Sequence, residues 1–161
     1  MHVNLRSSPF GNGWGLSGYR ELVEMSDGSI LIWDGDGTEL AFEPPQSPGQ
    51  SYQSPAGHFG TLVSLGANGF THTLTDGTVW SYSPQGQLLS VRDRHGNVTR
   101  YEYDLGRLVR IIDPANLTTT FHYSGSQITS IEDPTGRTTA LDLDAAGDAD
   151  RPVGEAVARV A

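Results

Sequence analysis

The 161-residue chain carries 20 Gly and 9 Pro, no Cys, and only 36% apolar residues. That composition describes a turn-rich, all-β chain with a thin buried layer, and it excludes both a disulfide framework and a thiolate metal site. Ten basic residues against nineteen acidic ones, a net charge of −9, repel a phosphate backbone, so nucleic acid is not an expected partner.

In chain order, Met1 to Phe10 lacks a basic start followed by an apolar run, so no cleavable signal peptide is expected there. No stretch is apolar for long enough to suggest a bilayer-spanning helix. Export would then depend on a larger parent chain or on a dedicated machine. Two hairpins are signalled by Ser26-Asp27-Gly28-Ser29-Ile30-Leu31-Ile32-Trp33 and by Asp36-Gly37-Thr38-Glu39-Leu40-Ala41-Phe42. The Pro-rich run from Glu43 to Ser51 reads as a loop, since Pro removes ladder donors. From Thr71 to Tyr82 a further hairpin places Trp80 and Tyr82 twenty-one residues before Tyr101 and Tyr103, as a degenerate first unit of a repeat.

The repeat itself has a period of twenty. Gly86-Gln87-Leu88-Leu89-Ser90-Val91-Arg92-Asp93 aligns with Gly106-Arg107-Leu108-Val109-Arg110-Ile111-Ile112-Asp113 and with Ser126-Gln127-Ile128-Thr129-Ser130-Ile131-Glu132-Asp133. The second halves keep step: Asn97 to Tyr103, Leu117 to Tyr123, and Arg137 to Leu143. Each unit reads as two short strands joined by tight turns. Asp93-Arg94-His95-Gly96, Asp113-Pro114-Ala115-Asn116 and Asp133-Pro134-Thr135-Gly136 fit a type I turn in which Asp accepts from the backbone and the last residue is left-handed, a position Asn tolerates best after Gly. Ser83 to Gly86 and Asp104 to Gly106 are short enough for hairpins as well.

Thr99, Tyr101 and Tyr103 fall on one face of the second strand, and Val98, Arg100 and Glu102 on the other. The repeat is expected to stack Tyr101 near Phe121 and Leu141, and Tyr103 near Tyr123 and Leu143, as ladders of cross-strand neighbours. In the first strand the apolar pairs Leu88/Val91, Leu108/Ile111 and Ile128/Ile131 are three apart, which a flat strand cannot place on one face; a bulge or a sheet covered in part on both faces is expected.

The period, the phrase Tyr101-Glu102-Tyr103-Asp104-Leu105-Gly106-Arg107-Leu108 and the turn Asp133-Pro134-Thr135-Gly136 resemble the RHS, or YD, repeats of bacterial surface and toxin proteins and of animal teneurins. The stretch Ser8 to Gly18 with Val23, the turns Asp27-Gly28-Ser29 and Asp34-Gly35-Asp36-Gly37, and Tyr52 to Val63 resemble the lead-in to those repeats; the resemblance spans roughly residues 8 to 145. It implies an open antiparallel hairpin-repeat strip which, in full-length relatives, spirals into a shell that encloses a toxic domain or serves in adhesion. The expected organisation is a lead-in of hairpins and Pro-rich loop over 1–66, repeats over 67–144, and a disordered or short-helical tail over 145–161 in a truncated or fragmentary member. Expected partners are further RHS repeats, or another domain, met through the sheet edges, in a secreted or cell-surface setting.

No catalytic, cofactor-binding or metal-binding residue is assigned. Family shells cut themselves near a late Asp-Pro-x-Gly-Leu phrase, but Asp113-Pro114-Ala115-Asn116-Leu117 sits in a repeat turn with Asn in place of Gly, and Asp133-Pro134-Thr135-Gly136 lacks the Leu. Asp34, Asp36 and Glu39, and Asp142, Asp144, Asp148 and Asp150, lack the spacing of a calcium loop. His2, His58, His72, His95 and His122 show no short metal-ligand spacing, and His95 and His122 read as exposed. The sequons Asn97-Val98-Thr99 and Asn116-Leu117-Thr118 read as repeat residues. There is no Gly-x-Ser-x-Gly elbow. Trp14, Trp33 and Trp80 could stack on sugars, which leaves an alternative role in binding cell-surface carbohydrate, but packing of the sheet is the favoured reading of such residues. The residues that matter are then the structural repeat positions Gly86, Asp93, Gly96, Tyr101, Tyr103, Gly106, Asp113, Asn116, Phe121, Tyr123, Asp133 and Gly136.

Overall fold

A computed structural model describes residues 7–8, 11–12 and 16–141. Among them are fourteen β-strands, one 3₁₀ turn at Gly66–Asn68 and no α-helix, so the architecture is the all-β, antiparallel hairpin strip that the turn-rich composition implies. The expected tail over 145–161 lies outside the described residues.

β1 (Ser7–Ser8) and β2 (Gly11–Asn12) form a short antiparallel pair. β3 (Arg20–Glu24), β4 (Ile30–Asp34) and β5 (Glu39–Phe42) form a three-stranded meander. Then follow β6 (Thr61–Ser64), β7 (Phe70–Thr73), β8 (Val79–Tyr82), β9 (Leu88–Arg92), β10 (Val98–Asp104), β11 (Arg107–Ile112), β12 (Thr118–Ser124), β13 (Gln127–Glu132) and β14 (Thr138–Ala140). These nine hydrogen-bond in one sheet whose strand order is the order of the chain. The contacts divide the chain into two compact units, one of Tyr19–Asp34 with Thr38–Arg100, the other of Met1–Gly18, Gly35–Gly37 and Tyr101–Ala161.

In the first of these units the period-2 alternation places Leu22, Ile30, Ile32 and Phe42 on the buried face of the meander, each 2% exposed or less. On the facing strands two rows of register partners turn inward. One row runs Leu62, His72, Trp80, Val91; the other runs Phe70, Tyr82, Leu88. The layers are stitched where Gly86 of the β8–β9 turn accepts a hydrogen bond from the Leu22 amide at 3.0 Å. The Pro-rich loop is closed at its base by a two-residue bridge between Glu43 and Gln53.

In the other unit the core includes Leu16, Tyr101, Leu108, Ile111, Phe121 and Ile128, with exposures of 8% or less. Apolar spacing of three is resolved by a bulge in β9 and in β13. Between β8 and β9 the pairing passes from Ser81↔Ser90 to Tyr82↔Leu88, leaving Leu89 as the extra residue. Forty residues later β12 and β13 do the same, from His122↔Ser130 to Tyr123↔Ile128, with Thr129 as the extra residue. Leu89 and Thr129 point to solvent, and the apolar residues flanking each bulge return to the inner face.

The expected ladder needs one correction. Tyr101 and Phe121 stand on β10 and β12, with β11 between them, so they are not cross-strand neighbours, and β13 likewise separates Phe121 from Leu141. Each repeat contributes two strands, which sets equivalent positions roughly 9–10 Å apart. The true neighbours come from the first strand of the repeat: Phe121 faces Ile131, Tyr123 faces Ile128 and Ile111 faces Thr119. Leu143 lies outside the described residues.

Gly86 has φ of 85°, and a β-carbon there would lie 1.7 Å from the Leu22 carbonyl oxygen; at Gly96, with φ of 88°, a β-carbon meets nothing within 4 Å. Gly96→Ala is therefore expected to cost only the left-handed penalty of about 1–2 kcal/mol. Gly86→Ala adds a backbone clash and should cost at least twice as much, roughly 3 kcal/mol or more, read as the shift of the urea midpoint. Equal losses for the two variants would show that the Leu22–Gly86 approach does not hold the layers together.

Candidate functional site

The candidate site of a repeat strip is the set of positions that recur, and its first element is the turn that closes each hairpin. In all three repeats the Asp main chain bonds residues three and four further on: the Gly96 amide donates to Asp93 O, Asn116 to Asp113 O and Gly136 to Asp133 O, at 2.9 to 3.1 Å. One Asp side-chain oxygen, Oδ1, then accepts two further backbone amides. For Asp93 these come from His95 and Asn97, for Asp113 from Ala115 and Leu117, and for Asp133 from Thr135 and Arg137, all between 2.8 and 3.0 Å. The left-handed residue closes the turn, with φ of 88° at Gly96, 64° at Asn116 and 84° at Gly136. This is the type I turn with a left-handed fourth residue that the Asp-x-x-Gly/Asn spacing requires.

Asp93 and Asp133 are held as anions by these donors. The Asn97 side chain, with the Asn97 and His95 amides, draws the Asp93 carboxyl below the usual carboxylate range. The Thr135 hydroxyl comes first for Asp133, followed by the Arg137 and Thr135 donors, and it too lies well below that range. Asp27, bonded to the Ser29 hydroxyl and amide, and Asp76, bonded to the Thr78 amide, show the same arrangement in the earlier hairpins.

The opposite turns differ between repeats. Ser83 to Gly86 is again a four-residue turn, with Gly86 at φ of 85°. Leu105-Gly106 is a two-residue turn with both residues at positive φ, 47° and 81°, whereas in Gly125-Ser126 only Gly125 is positive, at 59°. The glycine moves from the second turn position to the first because the turn type changes from I′ to II′. That change explains why Ser126 stands where the alignment has Gly106.

The aromatic repeat positions line the inner face. Tyr101 and Phe121 are buried, and Tyr103 and Tyr123 half-buried. The Tyr101 hydroxyl donates to the Gly18 carbonyl and the Tyr123 hydroxyl to the Leu108 carbonyl, both at 2.8 Å, so each phenol stays bonded at the edge of the core. Arg107 donates to the Gly125 carbonyl and lies over the Tyr123 ring, 5.7 Å from its centroid. Trp80 is buried at 9%, in line with packing of the sheet rather than with sugar stacking, with the Arg20 guanidinium 4.1 Å above its ring; Trp33 is half-buried, and Trp14 lies outside the described residues. Period-2 alternation in β8 puts Trp80 on the same face as Tyr82, and that face is covered.

One cluster was not legible in the sequence. His58, on the loop between Gln53 and Thr61, and His72, on β7, place their Nε2 atoms 2.9 Å apart, and His72 is 0% exposed. Phe42 meets both rings edge-on, at centroid distances of 5.5 and 5.3 Å. Nearby, Arg20 Nε is paired to Asp34 Oδ2 at 2.7 Å. The separation of fourteen residues carries no metal-ligand signature. The only available sign was His72 at an inward position of an alternating strand. His95 and His122 are exposed, and no group of three metal-ligating side chains occurs among the described residues. Nor does any helix among them have the length and apolarity to cross a membrane.

A family model described as RHS Repeat matches residues 82–118, the stretch from the end of β8 to the first residue of β12. No curated protein matches the chain significantly.

Leu105 is 84% exposed and held at φ of 47°, a conformation that costs a non-glycine residue about 1–2 kcal/mol. Leu105→Asn, which supplies the Asn-Gly pair preferred in a type I′ turn, is expected to stabilise the chain by about 1 kcal/mol in urea unfolding. For the Asp93 and Asp133 turns the sign follows from the depressed carboxyls: their contribution is complete above the free carboxylate range and is lost as pH falls through the folded value. Asp133→Ala should therefore melt lower than the wild type at neutral pH, with the gap closing in strong acid, as measured by circular dichroism melts across pH.

Proposed function

Because the chain belongs to the RHS/YD-repeat family, a family of structural repeats rather than catalytic ones, we propose that it is a wall segment of an RHS-type sheet, shielding or displaying a toxin or adhesion domain and performing no catalysis of its own. The observation that carries this reading is the order of the strands. From β6 to β14 each hairpin adds its two strands beside the last, so the sheet lengthens in proportion to the number of repeats. A layer built in that way has no preferred length. Its natural partner is the next hairpin, or the edge of another domain, meeting the backbone of the last strand.

The inner face supports the same role. It is filled by Tyr101, Leu108, Phe121 and Ile128 in one unit and by Phe70, Trp80, Tyr82 and Leu88 in the other, with their aromatic rings committed to packing. The outer positions are charged and polar, as in the ion pairs Arg110–Glu102 at 2.8 Å and Arg137–Asp133 at 2.7 Å, which suits a solvated wall. RHS-repeat proteins are associated with the cell surface and the extracellular space, where a barrier of this kind would serve.

The test is edge pairing. In the register of β13 with β14, Leu141 donates to Thr129 O and Thr139 faces Ile131, which leaves the Ala140 amide directed away from β13. The purified chain is expected to associate with rising concentration in sedimentation equilibrium, and Ala140→Pro, which removes that donor, to weaken the association by about tenfold. A chain that stays monomeric over the whole range, and that binds a glycan array saturably, would replace this reading with carbohydrate recognition. Silence on the array together with association supports the wall.

A further inference from the structure

We propose that His58 and His72 form an acid-released latch, one hydrogen bond between two imidazoles that fastens the loop around residues 54–60 to the inner face of the sheet. The two rings approach nearly end to end: the Nε2 atoms are 2.9 Å apart and the ring centroids 5.0 Å apart. In that geometry the two nitrogens share one proton along the line between them. They do not converge on a third point as two ligands of a metal would, and no third ligand joins them among the described residues.

The bond requires one ring to donate and the other to accept, so it tolerates at most one extra proton across the pair. His72 is the ring that cannot take it cheaply. It stands in the inward row between Leu62 and Trp80, it is 0% exposed, and its Nδ1 is buried with no hydrogen-bond partner. A charged His72 would hold an ionised N–H in an apolar site without an acceptor. The surroundings add to the cost. The charged group acting on the pair is Arg20 of β3, whose positive charge disfavours a second cation; Arg20 is in turn paired to the Asp34 carboxylate of β4. Phe42 of β5 closes the cluster from the facing layer.

The loop is built to depend on this contact. Ser54 Oγ donates to Gly60 O at 2.6 Å and the His58 amide donates to Pro55 O at 3.0 Å, so the loop is tied to itself. A β-carbon at Gly60 would lie 2.6 Å from His72 Nε2 and 2.7 Å from His58 Nε2, so the glycine is what lets the backbone pass beside the paired rings. Between His58 and Gly60, Phe59 is 80% exposed, so the loop tip gains no anchorage from its aromatic residue.

Burial, followed by the charges of His58 and Arg20, holds His72 down to about 4, and burial followed by Arg20 lowers His58 as well. Both fall below the free imidazole value of about 6.5, so the folded, latched state binds fewer protons than the open one. The latch is therefore at full strength above about pH 6.5 and weakens as pH falls from there toward 4, by up to about tenfold in the closed-to-open ratio per pH unit for each imidazole. Asp93 and Asp133 do not interfere in this window, since their depressed carboxyls titrate below it.

The experiment is amide exchange on the full chain at about pH 7.5 and about pH 5, expressed as protection factors corrected for intrinsic rates. Protection over residues 54–60 is expected to fall at least about tenfold at the lower pH while β11 to β13 keep theirs. His58→Ala, at a half-exposed position, should show the weak protection at both values and no step between them. An unchanged wild-type loop, or a step that survives in His58→Ala, would overturn the proposal. Imidazole nitrogen shifts of the wild type provide a readout independent of any variant. Two histidines with coupled titrations below 6.5 support the latch, and two independent titrations near 6.5 overturn it.

Discussion

Everything in this chain depends on turns that hold the register of an antiparallel ladder. A strand slipped by one residue would turn Phe121 and Tyr123 to the outside and His122 to the inside. The thin apolar layer could not survive that exchange. The slip is prevented at the Asp turns, where a single carboxylate oxygen accepts the backbone amides two and four residues on and a left-handed Gly or Asn returns the chain at a set position. The repeats can differ at almost every strand position because their closure is local.

The same constraint produces the bulges. Two tight turns per twenty residues leave the first strand one residue too long for a flat pairing, and the surplus residue is expelled at Leu89 and again at Thr129. Expulsion restores the inward direction of the apolar residues on either side and adds local twist.

A sheet with so little apolar substance tolerates few polar intrusions, and several of them are bonded within it. Arg20 is neutralised by Asp34 and lies over Trp80; the phenols of Tyr101 and Tyr123 reach backbone carbonyls. His72 is the exception in kind. Its partner is another imidazole rather than a fixed acceptor, so its satisfaction depends on protonation. That makes it the one place in the described core where solvent conditions act directly on packing.

Sequence alone determined the local features of this protein. The β class, the period of twenty, the strand pairs, the Asp turns with their left-handed last residue, and the need for a bulge at the three-residue apolar spacing all follow from backbone rules that act within four or five residues. Tertiary structure decided what lies across the sheet: that Phe121 meets Ile131 rather than Tyr101, that Trp80 is covered by Arg20, and that His58 meets His72. Such contacts join residues from different strands and loops, and their pairing depends on how many strands each repeat inserts and on which face is covered, quantities that no spacing along the chain encodes.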